Sequence, residues 1–398
     1  MNNKNFAWPV TTLCKYDYSA LLACLNKYEV NFKNKKIILM GAGIRGTMFS
    51  LLLKDFGYHD IAFCDNNPEK VGGAINEFDI LSFDEVQRMK NKVVVIITVE
   101  NGYSLIDQFV SAGFVLNDDL FYIESELYKK YLSEFTRQNC EILVMGDCGV
   151  TDISMKDTDF TNLGEMIQQE IGIDKVKILA VHAMGMRAFY HVLSAHIAHI
   201  GVPKKIAIMA NFETFTGKQH LLPRSQHCEL IKQLCATLGG IDEQLNEYAQ
   251  LTTERFSNFK LDYFTSSKQF QTSDSSHNDK LVFHLNYMYK LKEDNECIVY
   301  LQKVCELCKN NSIKLLFFIP PVNYMYATSL LGEFFREKYD ANVNHLKHII
   351  ASELVPVLDL SYLLTDDCFA SKHTIDETAN YVGRVKQAEK ICQALRRL

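Results

Sequence analysis

Short runs that are apolar from end to end recur along this chain, and helical patterns separate them. Val93–Val99 and Leu315–Pro321 are the longest; they are strand-sized and far too short to cross a bilayer. Further strand-like segments fall at Lys35–Met40, Ile61–Cys64, Ile80–Leu81 and Phe121–Ile123. Helices are expected from Gly41 through Leu53 and over Phe83–Lys90 and Tyr103–Ala112. A second series of strands follows at Glu141–Met145, Lys177–Val181, Lys205–Ala210, Lys314–Ile319 and Pro356–Leu360. Its helices are expected at Leu163–Ile171, Met186–Ile200, Cys297–Lys309, Glu333–Ile350 and Asn380–Arg397. Strands that alternate with helices build parallel, doubly wound sheets. The expected fold class is therefore α/β, with two such domains in succession.

A chain of 398 residues exceeds one ordinary core and suits two. The expected division is a helical segment over 1–30, a front domain over 31–125, a charged helical connector over 126–138, and a rear domain over 139–398. Polar residues and Ser/Thr clusters weaken the pattern between Ile241 and Asn295, which reads as an insertion able to cover a site. Hydrophobic residues at 47% and charged residues at 23% suit a globular protein. A net charge of −6 without a dense Lys/Arg stripe argues against nucleic acid as a partner. The opening residues Met1 to Phe6 lack the apolar core of a signal peptide. Twelve scattered cysteines read as reduced thiols, so a cytoplasmic location is expected. Cys305-Glu-Leu-Cys308 lies in a helical pattern without the partner pair that a metal or redox site needs.

In the front domain, Gly41, Gly43 and Gly46 occupy a strand–turn–helix context. There the first glycine makes a tight turn, the second admits a pyrophosphate to the backbone, and the third packs helix on strand. The helix N-terminus then favours an anion. Asp65 ends the second strand, placed to accept hydrogen bonds from a ribose. Asp65-Asn-Asn-Pro-Glu-Lys70, followed by Ile80-Leu-Ser-Phe-Asp-Glu-Val86, resembles the nucleotide-binding domains at the front of bacterial surface-polysaccharide enzymes. That resemblance implies a nucleotide-sugar or NAD(P) held by Gly41, Gly43, Gly46 and Asp65. A scaffold or dimerisation role is the alternative.

The rear domain opens with Ile142-Leu-Val-Met-Gly-Asp-Cys-Gly149. A strand that ends in a tight turn exposes the next side chain at the carboxyl edge of a sheet, and here that side chain is the Cys148 thiol. Met184-Gly185-Met186 follows another strand and opens a helix, Ala210-Asn211 ends a third, and Asp376-Glu-Thr-Ala-Asn380-Tyr-Val-Gly383 precedes the last helix. In order and spacing these four features resemble the SGNH/GDSL hydrolases. The resemblance implies a nucleophile at Cys148 and an oxyanion hole from the Gly185 amide and the Asn211 carboxamide. It implies a catalytic histidine from the last block, where Thr378 stands instead. A thiol needs less activation than a hydroxyl, and His373 on the same loop is the candidate base, oriented by Asp376 or Asp367.

The expected function is that of an acyl esterase or acyltransferase acting on a surface glycan or its nucleotide- or lipid-linked precursor. Such chemistry needs no cofactor, and its partner is a glycan or another acylated small molecule. The alternative is a non-catalytic relative that binds a glycan or a partner enzyme, either as a homo-oligomer or within a biosynthetic complex. His191, His196 and His199 share a helix, but metal binding would need ligands from elsewhere, so no metal is expected. Gln219, Arg224 and His227, on the polar segment after Asn211, are candidates for substrate hydroxyls or phosphate.

Overall fold

The computed structural model describes residues 5–6, 12–99, 102–123, 126–215, 227–257, 275–375 and 377–398. The chain divides into two compact units, Met1–Leu127 and Tyr128–Leu398.

The strands of the front unit are β1 (Asn5–Phe6), β2 (Thr12–Cys14), β3 (Lys36–Met40), β4 (Ile61–Cys64), β5 (Ala74–Ile75), β6 (Phe78–Leu81), β7 (Val93–Ile97) and β8 (Leu120–Tyr122). Its helices are α1 (Lys15–Lys27), α2 (Glu29–Phe32), α3 (Ile44–Asp55), α4 (Phe83–Arg88) and α5 (Tyr103–Ser111). Seven strands form one sheet in the order β1-β5-β6-β4-β3-β7-β8. From β6 to β8 every pairing is parallel, in the 3-2-1-4-5 order of a doubly wound nucleotide-binding sheet. All five residues of β7 are fully buried, as expected when helices cover both faces. The order reverses between β3 and β7, which makes a crevice at their carboxyl ends.

The rear unit begins within α6 (Glu126–Thr136). Its strands are β9 (Ile142–Gly146), β10 (Asp152–Ser154), β11 (Val176–Ala180), β12 (Lys205–Met209), β13 (Lys314–Ile319) and β14 (Val357–Asp359). Its helices are α7 (Cys148–Thr151), α8 (Leu163–Ile171), α9 (Met186–His199), α10 (Cys228–Thr237), α11 (Glu243–Ser257), α12 (Ser275–Tyr287), α13 (Glu296–Asn310), α14 (Tyr324–Leu331), α15 (Glu333–Ser352) and α16 (Tyr381–Arg397). Five strands make a wholly parallel sheet in the order β11-β9-β12-β13-β14. Val144 pairs with Ile178 on one side and Ala207 on the other. The switch point of this 2-1-3-4-5 order lies between β9 and β12. Ile142, Val144, Val176, Ala207 and Phe318 pack with Leu163 and Ile167 of α8 and Ile391 and Leu395 of α16. Both units are therefore α/β with parallel sheets, the rear one in three layers. Among the described residues no helix is long and apolar enough to cross a membrane.

Two features differ from the sequence reading. The stretch 241–295 carries the helices α11 and α12 on either side of residues 258–274, which lie outside the described residues. The segment read as a sparsely anchored connector buries Tyr131, Glu134 and Phe135. Charge dominates its sequence, but its apolar residues fall on one face, which the rear unit covers.

Candidate functional site

The switch point of the rear sheet gathers the loops that carry Cys148, Gly185 and Asn211. β9 ends at Gly146, where a Cβ would fall 2.4 Å from Val150 Cγ2, so only glycine admits the tight turn into α7. Asp147 caps that turn, its Oδ1 accepting from the Gly149 amide at 2.9 Å, as N-cap aspartates do. Its Oδ2 accepts from Asn211 Nδ2 at 2.7 Å, which ties the loop after β12 to the loop after β9. Asn211 Oδ1 accepts from the Glu213 amide at 2.9 Å, so the orientation of the carboxamide is set. Gly185 caps α9 in extended conformation. A Cβ built on it would lie 3.8 Å from Thr214 Cβ, so the loops after β11 and β12 also touch.

Cys148 is half-buried and its surroundings are acidic. Burial pushes its thiol well above the ordinary range, and the carboxylates of Asp147, Asp152, Glu213 and Glu377 push it further. Burial also pushes the Asp147 carboxyl up to about 6, against the pull of the Gly149 amide and Asn211. Burial and anionic neighbours both disfavour a thiolate. Among the described residues the Cys148 sulfur makes no hydrogen bond.

The candidate base, His373, has an aromatic neighbour. His373 is exposed and its ring lies against Tyr326 with centroids 4.9 Å apart. The loop that carries it is pinned by the buried Asn323, whose Nδ2 donates to the Lys372 and Thr374 carbonyls at 3.1 and 3.2 Å. No hydrogen bond joins His373 to Cys148 among the described residues, and its side chain is engaged by an aromatic ring instead. Asp376 lies outside the described residues. Asp367 is exposed and accepts from the Thr365 hydroxyl rather than from His373. Thr378 is buried, and its carbonyl accepts from the Ala370 amide at 3.0 Å beside the Phe369–Ala379 bridge. Glu377, in that block, acts electrostatically on Cys148, and the Tyr287 hydroxyl donates to its Oε1 at 2.6 Å.

Several residues of this neighbourhood have little signal in the sequence. Glu377 precedes the position where a histidine would stand, and Asp152 lies one helical turn after Cys148; both could have been weighed. His182, just past β11, holds its Nδ1 3.4 Å from Asp152 Oδ1 and acts electrostatically on Asp147. Tyr289 and Asn295 donate to the Phe212 and Phe215 carbonyls, each at 2.8 Å, so the segment after α12 clamps the Asn211 loop. Gln219 and Arg224 lie outside the described residues, and His227 is buried at the start of α10 rather than presented to a ligand.

The other histidines occupy separate surroundings. His191 stacks on Tyr248 at 4.3 Å, His196 meets Lys177 at 2.7 Å, and His199 meets Asp242 at 2.8 Å. Burial pushes both thiols of the Cys305/Cys308 pair up to about 12.

In the front unit the glycine turn is closely packed at its two ends. Gly41 holds φ +112°, and a Cβ on Gly46 would fall 2.1 Å from the Gly41 carbonyl oxygen, whereas Gly43 faces open space. Asp65 is tied both to the glycine turn and to its own loop. Its Oδ2 accepts from the Ala42 amide and from Lys70 Nζ, and its Oδ1 from the Asn67 amide. A carboxylate still has acceptor capacity for a ribose hydroxyl after these bonds.

No protein-family model matches the chain, and no curated protein matches it. Among solved structures it is similar to a GDSL-like lipase of Bacteroides thetaiotaomicron, at 8% identity and a TM-score of 0.35, over 68% of this chain and 97% of that one. It is also similar to a protein of the G-D-S-L family from Desulfitobacterium hafniense, at 9% identity and a TM-score of 0.30, over 65% of this chain and 100% of that one.

Proposed function

We propose that the rear unit is a glycan-binding relative of the SGNH/GDSL hydrolases, in which Cys148 stands as a neutral thiol and does not cleave esters. The front unit holds the nucleotide portion of a nucleotide-sugar, and the whole serves bacterial surface-glycan assembly. What supports the reading is geometry: the half-buried Cys148 sulfur makes no hydrogen bond among the described residues, and the neighbouring Asp147 carboxylate already takes Asn211 Nδ2 at 2.7 Å. Burial first, then the charges of Asp147, Asp152, Glu213 and Glu377, raises the thiol. Carboxylates accept from sugar hydroxyls and an amide NH2 such as that of Asn211 donates to them, and a hydroxyl, with one donor and two lone pairs, can meet both. The carboxylates oppose the charge that builds on a nucleophilic sulfur and on an oxyanion.

The test compares the natural protein with Cys148→Ala on p-nitrophenyl acetate and on an acyl-thiol donor. Equal background rates are expected for both. The double variant Cys148→Ser with Thr378→His, which restores the hydrolase pattern, should gain ester hydrolysis. A natural protein faster than Cys148→Ala would overturn the reading.

One observation favours the enzymatic alternative. His182 holds its Nδ1 3.4 Å from Asp152 Oδ1 and acts electrostatically on Asp147, the residue before Cys148; on this alternative it is the base, with Gly185 and Asn211 completing the oxyanion hole. On that reading His182→Ala and Cys148→Ala lose the same activity.

A further inference from the structure

The groups offered to a ligand around Cys148 are shut away from solvent: Asp147, Asn211 and Glu377 are each 2% exposed. A sugar therefore reaches them only when one wall of the cleft moves. The segment 287–295, between the last residue of α12 and the N-cap of α13, ties two of those walls together. On one side the Tyr287 hydroxyl donates to Glu377 Oε1 at 2.6 Å. On the other, the Tyr289 hydroxyl and Asn295 Nδ2 donate to the Phe212 and Phe215 carbonyls of the Asn211 loop. The segment is itself fastened by Asn342, a residue of α15 that is only 4% exposed. Asn342 Nδ2 donates to the Tyr287 and Tyr289 carbonyls at 3.0 and 2.6 Å, and its Oδ1 accepts from the Leu291 amide at 3.1 Å. One side chain thus satisfies three backbone groups, and each of them would lack a partner without it.

We propose that residues 287–295 form a strap that holds the Cys148 cleft shut, that Asn342 is its positioning residue, and that a glycan enters when the strap lifts from the Asn211 loop. The inference rests on the reading of this cleft as a glycan site. The bonds of Tyr289 and Asn295 to carbonyls join neutral groups, whereas the bond of Tyr287 to the Glu377 carboxylate is charge-assisted and shorter. The strap accordingly parts from the Asn211 loop and stays with Glu377. Its upstream end is α12, so a displacement of that helix is passed directly to the cleft.

The test measures iodoacetamide labelling of Cys148 and Cys392 in the full chain, with both peptides quantified by mass spectrometry. It compares the natural protein, Asn342→Ala and the milder Tyr289→Phe. Cys392 is fully buried in α16 and reports global unfolding, whereas lifting the strap opens Cys148 alone. Asn342→Ala should label Cys148 about tenfold faster than the natural protein, as several orphaned backbone groups imply. Tyr289→Phe, which loses one neutral hydrogen bond, should speed it about threefold, and Cys392 should keep its rate in both. Should Asn342→Ala speed both cysteines in proportion, Tyr289→Phe decides. Unchanged Cys148 labelling in both variants, or a proportional rise at Cys392 in both, would overturn the strap and leave the reading of the site in place. An inflection near neutrality in the pH profile of the natural protein would overturn the neutral-thiol reading, and the ratio of the two cysteines would still decide the strap.

Discussion

Replacing Lys177 by Met should flatten the pH dependence of stability in the rear unit. Lys177 and His196 are 1% and 4% exposed, and Lys177 Nζ also donates to the Phe135 carbonyl at 2.8 Å. Burial pulls the Lys177 ammonium from 10.5 down to about 8; Arg137 adds to this while Cys140 and Glu134 oppose it. Burial, then the Lys177 charge, pulls His196 from 6.5 down to about 4. Between about pH 8 and 10.5 the unfolded chain keeps the lysine proton that the folded chain has released, so stability rises with pH. Each tenfold change in proton affinity is about 1.4 kcal/mol, which gives up to ~3 kcal/mol across that window. His196 acts in the same sense at lower pH. The unfolded imidazole takes its proton near 6.5 and the folded one resists to about 4, so stability falls by up to ~3 kcal/mol as pH drops through that range. Urea unfolding of the full chain, followed by circular dichroism from pH 4.5 to 10, measures both effects. The natural protein should gain about 2–3 kcal/mol on Lys177→Met between pH 8 and 10. Curves that run parallel across that window would refute the reasoning, because they would mean Lys177 titrates alike in both states.

Two further substitutions test the frame around the sites. The Arg384 guanidinium is buried and donates to Asp157, Ala379, Thr161 and Asp159 at 2.6 to 3.0 Å. Arg384→Met should therefore cost about 3–5 kcal/mol in urea unfolding, and Arg384→Met with Asp157→Leu should recover most of it; no recovery would show that the carboxylate left behind is not the source of the loss. Gly46→Ala should destabilise the front unit by roughly 1–3 kcal/mol or more, because the methyl meets backbone, whereas Gly43→Ala, facing open space, should leave its melting unchanged. Equal effects of the two would contradict the packing at the turn.

Local patterns carried much of the fold. Val93–Ile97 and Ile142–Gly146 are apolar throughout because helices cover both faces of each sheet, and such runs can be recognised without neighbours. Gly146-Asp147-Cys148 reads as a strand-end turn for the same local reason. The acidic surroundings of Cys148 are a different matter. Asp152 follows Cys148 by four residues, but Glu213 and Glu377 come from segments far apart in sequence, and only the strand order brings them to it. His373 suits a base by its position on the last loop, but Asn323 and Tyr326, from the start of α14, hold that loop and its ring. Lys177 reads as an ordinary residue at a strand start. Its ammonium meets the Phe135 carbonyl of α6, a helix whose charged sequence disguises an apolar face.

The ionisation of Cys148 tests the central claim most directly. Iodoacetamide labelling of the native protein, with the Cys148 peptide quantified by mass spectrometry from pH 6 to 9.5, reports the thiolate fraction. The carboxylate-ringed thiol should label more slowly than free cysteine at every pH and show no inflection below about 8.5, the ordinary thiol value. An inflection near neutrality would mean that a hidden cation or base activates the sulfur, and a nucleophilic Cys148 would replace the neutral one.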